Sequence, residues 1–254
     1  MYPILLVRGL GDKDFVFIHS FRHLQKVLRA KGFNVYISKQ DALGSIEENG
    51  IKLRDEILEI IKKENVPKIH IIAHSKGGLD ARYCIDKCGM DKYVLSLTTL
   101  STPHRGSVMA SNLLKMPHFL AVMLNLYWNI FFRLIGDEKP NLIVSAKELT
   151  PEYLEKFNQN VLNREGVYYQ SYAAVPLKKQ KSYLSFPHFL MKKFGKKDND
   201  GLVDLESAKW GDFKGTIPAY HHYFVRKRPT KKKDDIINNL YANILKDLEK
   251  LENK

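Results

Sequence analysis

Apolar residues follow two rhythms along this 254-residue chain. Short, mostly apolar runs occur at Ile4–Val7, residues 34–38, residues 68–73 and Val94–Leu100. Runs of that length suit strands buried on both faces, as in a parallel sheet. Between them, residues 20–31 and 45–64 repeat apolar side chains at helical spacing. The second segment opens with Ser45 and has Glu48 three residues on, the spacing of a capping box. Strand alternating with helix predicts βαβ units, and so an α/β fold with a mostly parallel sheet and helices on both faces. Farther along, residues 149–162 read as a helix begun by Thr150-Pro151 and residues 167–173 as a strand. Residues 234–251 read as a closing amphipathic helix with Ile236, Ile237, Leu240, Ile244, Leu248 and Leu251 on one side. There is no internal repeat. Residues 178–200 are the most loop-like and charged stretch but too short for a domain boundary, so residues 1–254 are expected to form one domain.

Charge adds a question of partners. The chain carries a formal net charge of +13, with lysine concentrated at residues 178–181, 192–197 and 226–233. Such runs are ordinarily solvated faces, and attraction to an anionic membrane surface is the second reading. They lack the companion motifs of nucleic-acid modules, so no nucleic-acid partner is expected. Two cysteines, Cys84 and Cys88, stand four apart in a helical pattern, poor geometry for a bridge with each other, and read as reduced core thiols. Met1-Tyr2-Pro3 runs straight into the first strand without the charged and apolar regions of a signal peptide. This predicts a cytoplasmic protein, or a secreted one if a leader was trimmed.

The sharpest chemical signal is Ile71-Ile72-Ala73-His74-Ser75-Lys76-Gly77-Gly78, an apolar strand entering a small-x-Ser-x-Gly turn before a helix. A nucleophile elbow needs this order. The turn strains the serine backbone, and residues two before and two after must be small, as Ala73 and Gly77 are. The elbow would lift the Ser75 hydroxyl above the carboxyl edge of the sheet, with the Lys76 N–H at a helix N-terminus able to donate to an oxyanion. Arg8-Gly9-Leu10-Gly11 follows the first strand, where a glycine-rich turn allows close approach, so the Leu10 N–H is the natural second donor. The competing reading is an ordinary strand-to-helix turn capped by serine.

On this fold the acid and base follow the serine in the order Asp or Glu, then His. Asp200, in the tight turn Asn199-Asp200-Gly201-Leu202-Val203, is the best acid, with Asp204 and Glu206 as nearby substitutes. Only His221 and His222 lie beyond it. Adjacent residues in an extended segment face opposite ways, so one of the two can reach the serine, and spacing does not choose between them. His74 reads as structural, because its side chain should leave the elbow in another direction.

Ala73-His74-Ser75-Lys76-Gly77-Gly78, Ser101-Thr102-Pro103-His104-Arg105-Gly106-Ser107 and Asn199-Asp200-Gly201-Leu202-Val203 together resemble three ordered motifs of the bacterial triacylglycerol lipases, of the α/β-hydrolase superfamily. The resemblance reaches from Tyr2 to about Phe224. It implies Ser75 as nucleophile, Asp200 as acid and His222 as base, with oxyanion donation by the Leu10 and Lys76 amides and no cofactor. Two departures matter. The family's His-Gly after the first strand is Arg8-Gly9 here. Where many members place a calcium-binding Asp, this chain has Phe224, so no metal is expected there.

The uncharged segment 119–132 is short for a membrane span, which needs roughly 20 residues. In related lipases the lid occupies this part of the chain, so a lid-like helical insertion at about 108–148 is expected, with Leu124, Trp128 and Phe131 as candidate substrate-facing residues. A buried helix and a membrane anchor are the other readings. The expected activity is hydrolysis of acylglycerols or other lipid esters. A phospholipase or acyltransferase on membrane lipids, and a non-catalytic lipid-surface protein with this fold, are the alternatives.

Overall fold

In the computed structural model, residues 1–13, 21–178, 180–224 and 234–253 are described. Six strands form one sheet: β1 (Ile4–Val7), β2 (Val35–Ile37), β3 (Ile69–His74), β4 (Val94–Leu100), β5 (Tyr168–Ala174) and β6 (Asp212–Ile217). Their order is β2-β1-β3-β4-β5-β6, and every neighbouring pair is parallel. The five expected strands are present. The sixth was not expected: Asp-Phe-Lys-Gly-Thr-Ile at the sheet edge alternates exposed with half-buried positions and contains glycine, so it lacks the apolar run that marks a doubly covered strand.

The pleat sends alternate residues of β1 to opposite layers. Ile4 and Leu6 join Ile72, Leu100 and Tyr172 beneath α1 (Arg22–Ala30) and a closing helix at Asp234–Glu252. Leu5 and Val7 join Ile71, Ala73 and Leu97 beneath α2 (Ile46–Glu64) and α3 (Gly77–Lys87). Helices therefore cover both faces. The predicted cap of α2 is present, with the Ser45 hydroxyl accepting from the Glu48 amide. The closing helix buries Ile237, Leu240, Ile244 and Leu248, the stripe read from its periodicity. The start of the first predicted helix, Ser20, and the basic run 226–233 lie outside the described residues.

Between β4 and β5 the chain makes α4 (Val108–Leu114), α5 (His118–Leu134), α6 (Leu142–Glu148) and α7 (Pro151–Asn160). After β5 come α8 (Ser185–Lys193), the short α9 (Leu205–Ala208) and, past β6, the closing helix, α10. Cys84 is in the core and Cys88 half-buried, and both are free thiols. Among the described residues no helix is long and apolar enough to cross a membrane.

Strand β3 lies between β1 and β4 and delivers Ser75, so its packing is the foundation of the site. Ile71 is fully buried there. Ile71→Ala should cost about 2–5 kcal/mol, read as a lowered urea midpoint with an unchanged denaturant slope; a midpoint within error of wild type would show that the α2–α3 layer does not depend on this side chain.

Candidate active site

Ser75 follows directly after β3 with φ of 53°, in the left-handed region that a non-glycine residue rarely occupies. Its amide donates to the Leu100 carbonyl and its carbonyl accepts from Gly78, so the strained turn is held at both ends. The elbow is close-packed. A Cβ on Gly77 would come within 2.1 Å of the Arg8 carbonyl oxygen, and one on Gly9 within 2.8 Å of the Ser75 Cβ. Only glycine lets the loop after β1 lie this near the serine. Leu10, in that loop, packs beside Phe131 and Phe132 from α5.

Asp200 sits in a turn that divides the work of its two oxygens. Oδ1 accepts from the Leu202 and Val203 amides at 2.9 and 2.8 Å. Oδ2 pairs with His221 Nδ1 at 2.8 Å, both groups being buried. The two turns are also joined through the backbone, the His221 amide donating to the Asp200 carbonyl. The substitutes fall away. Asp204 caps α9 through the Ser207 amide, and Glu206 is exposed beside Lys209.

The histidine seen paired with Asp200 is His221, whereas the expected base was His222. Residues His221–Phe224 form a 3-10 turn in place of the extended segment assumed from the sequence, and it begins on the histidine that closes onto the Asp200 loop. The His222 side chain lies outside the described residues. Phe224, at the position where a calcium-binding carboxylate was weighed, is fully buried in the core.

His74, read from the sequence as structural, supports the histidine turn. Its Nε2–H donates to the His221 carbonyl at 3.2 Å, and the two rings lie 4.5 Å apart. The residue before the serine thus supports the turn that carries the histidine. Beyond it, α8 props both turns: His188 Nδ1 lies 2.9 Å from Asn199 Oδ1, and the hydroxyls of Ser185 and Tyr220 are 3.0 Å apart. Neither contact was legible, because residues 178–200 read as loop.

Ser75 and His221 both open onto one cavity of about 550 Å³, lined mainly by apolar side chains of α4, of the C-terminal end of α6 and of the segment leading into α8, including Met109, Leu113, Leu149 and Leu184. Leu10 lines it too. The three side chains proposed to face substrate do not. Leu124 points into the seam between α4 and α6, Trp128 stacks edge-on with Phe131, and Phe131 packs near Leu10. Helix α5 is pinned by Asn125 and Asn129, whose side-chain oxygens accept from the Ile143 and Leu142 amides at the start of α6. Its far side is bare: Met123, Leu126 and Ile130 are each more than half exposed.

A parallel sheet with helices on both faces, carrying a strained serine at the end of a central strand and an Asp–His pair on later loops, has close structural counterparts. The Staphylococcus hyicus lipase superposes with a TM-score of 0.74, covering 99% of this chain and 96% of that one at 17% identity. A mature Bacillus licheniformis lipase, BlEst2, gives a TM-score of 0.67 at 21% identity, covering 87% and 84%. This is the α/β-hydrolase fold. Residues 18–137 match the family model described as "Putative serine esterase (DUF676)". In sequence the chain is similar to Triacylglycerol lipase 2 of Saccharomyces cerevisiae, 34% identical over 218 residues, covering 84% of this chain and 63% of that protein. It is also 32% identical over 114 residues to a triacylglycerol lipase of Pseudarthrobacter phenanthrenivorans, covering 43% of this chain and 35% of the other. The chain thus spans less than two thirds of the length of either relative.

On this α/β-hydrolase scaffold α6 backs the cavity, and Glu148 at its end accepts from the Ile46 amide at the start of α2. Burial pushes its carboxyl from 4.5 up to about 7. An acid raised on folding favours the folded state fully below its unfolded value and loses that contribution as pH rises through the folded one. Glu148→Gln should therefore make stability less dependent on pH between 4.5 and about 7. Urea midpoints at several pH values across that window test this, and equal slopes in the variant and wild type would refute it.

Proposed function

We propose that this chain is a serine carboxylic-ester hydrolase that acts on lipid esters, with acylglycerols as the leading class. The observation that carries the reading is a serine held at φ 53° on the wall of an apolar cavity, together with a buried histidine tied to an aspartate on the same wall. Because His221 Nδ1–H donates to Asp200, Nε2 is the nitrogen left to take the Ser75 proton. Ser75 Oγ then bonds to the ester carbonyl carbon, and the resulting oxyanion accepts from the Leu10 and Lys76 amides. As the tetrahedral species collapses, His221 returns the proton to the departing alcohol. Water, deprotonated by the same histidine, attacks the acyl-enzyme and releases the acid. No cofactor enters these steps. The apolar side chains of α4, of the end of α6 and of the segment before α8 suit an acyl chain, and the relatives named triacylglycerol lipase support an ester of that kind.

The surface beside the cavity supports substrate drawn from a lipid aggregate. Leu184, just before α8, lines the cavity, and α8 turns Phe186 and Phe189 outward, with exposed Phe194, Lys192, Lys193 and Lys197 at its far end. Aromatic side chains interleaved with lysine fit an anionic membrane surface, where each basic residue adds about 1 kcal/mol of attraction. This favours membrane phospholipid as the second substrate class. Lysolipid among the products would mark that activity, and free fatty acid with diacylglycerol would mark the first.

Ser75→Ala should abolish turnover of a p-nitrophenyl ester and labelling by a fluorophosphonate. His221→Ala should lower kcat by about four orders of magnitude, and His222→Ala far less. Undiminished turnover in Ser75→Ala would sink the reading, and the reverse histidine ranking would return the base to His222.

Helix α5 is proposed as the lipid-facing element of the insertion. Replacing Met123, Leu126 and Ile130 together by serine should reduce hydrolysis of emulsified long-chain esters while leaving a soluble short-chain ester within about twofold, since the loss is of area buried in lipid and not of fold. Equal losses on both substrates would contradict the assignment.

A further inference from the structure

We infer that Asp80 is a positioning residue that holds the two oxyanion-donating loops in register, acting through Lys76 and Gln40. The inference rests on the reading of Ser75 as nucleophile and adds a residue to it. Asp80 is fully buried on the first turn of α3. Its Oδ1 pairs with Lys76 Nζ at 2.7 Å, and its Oδ2 accepts from Gln40 Nε2 at 2.8 Å and Asn49 Nδ2 at 3.0 Å. Gln40 Nε2 also donates to the Arg8 carbonyl at 3.1 Å, and Gln40 Oε1 accepts from the Ser38 hydroxyl, which in turn lies 3.3 Å from the Arg8 amide. One carboxylate therefore reaches both donor loops by a single intervening side chain each: Lys76, next to Ser75, on one side, and the Arg8-Gly9-Leu10 loop on the other.

The arrangement is difficult to explain as packing alone. Lys76 follows directly after the strained serine, yet its side chain is 2% exposed, and burying an ammonium is costly unless it is paired. Turned inward onto Asp80, its side chain fixes the orientation of its own peptide unit, the one that carries the proposed donor N–H. Asn49 adds a third tie, because its Nδ2 also donates to the Asp41 carbonyl and its Oδ1 accepts from the Asp41 amide. The loop 38–44 is held this way, and its Ala42 carbonyl accepts from Gly11 beside Leu10. Preorganised donors stabilise developing charge only while both point at one spot, and displacement by about 1 Å can cost on the order of 100-fold.

Asp80→Asn keeps the shape and removes the charge. It should lower kcat by about 10- to 100-fold with KM within about threefold, because the loss falls on the transition state. A trifluoromethyl ketone, which forms an oxyanion on the serine, should lose affinity in step with kcat, whereas the matching non-fluorinated ketone should not. Active sites are counted by fluorophosphonate titration, so misfolded protein does not enter kcat. Gln40→Leu removes the Gln40 bonds to Asp80, the Arg8 carbonyl and Ser38 but leaves the Lys76–Asp80 pair, which guards against an Asp80 variant that does not fold. It should show a smaller loss with the same trifluoromethyl ketone signature. If both variants are less stable but keep wild-type kcat per titrated site and wild-type inhibitor affinity, Asp80 is only structural and the inference is overturned. An active Ser75→Ala would instead overturn the underlying reading.

Discussion

A serine held at φ 53° is the constraint to which the rest of the site answers. Such a conformation costs on the order of 1–3 kcal/mol and persists only where the surroundings over-determine it. Here β3 enters from one side, α3 leaves on the other, and the Leu100 carbonyl fixes the amide between them. The turn brings α3 so close to the loop after β1 that Gly77 faces the Arg8 carbonyl and Gly9 faces the serine itself. The cavity, the two donor loops and the supporting His74 contact all follow from that approach. A less strained serine would let the loops separate, and the proposed donor amides with them.

The Asp–His pair reaches the same place by a different route. It is carried on two turns that flank β6, the polar edge strand of the sheet, and it is buried although it lies far from the central strands in sequence. Backbone and side-chain bonds between the two turns, the His74 bond and the α8 contacts replace the sheet packing that secures Ser75. Rigidity is thus obtained twice: by apolar burial for the serine and by polar bonding for the pair.

This difference explains which parts were legible in the sequence. The elbow declared itself because strain demands small residues at fixed offsets, and the doubly covered strands because burial demands mostly apolar runs. Asp200 was readable for a related reason, since its turn needs the Asn-Asp-Gly chemistry that marks tight turns. The choice between His221 and His222 depended on whether the backbone there was extended or helical, a one-residue matter decided by its docking on the Asp200 loop. Strand β6 and α8 were hidden because each is covered on one side only, so their apolar spacing is interrupted by charge. The substrate-facing residues assigned to α5 missed for a similar reason: hydrophobicity located the helix but could not say which of its faces met the cavity.

Two asparagines in α5 show how that face was chosen. Asn125 and Asn129, one helical turn apart in an otherwise apolar segment, accept the first amides of α6, and bonding them there sets the helix rotation. That rotation leaves Met123, Leu126 and Ile130 outward. Exposed apolar residues scattered singly need no explanation, but here they share one helix, and α8 beside α4 presents a second set with lysine among its aromatics. Inward-facing polar residues of the two helices are accounted for by the bonds of α5 to the start of α6 and of α8 to the Asp–His turns. None of those duties constrains the outward residues, so the fold alone would permit polar side chains there. The proposed anionic lipid surface would engage both sets, the apolar residues of α5 and the aromatics and lysines at α8.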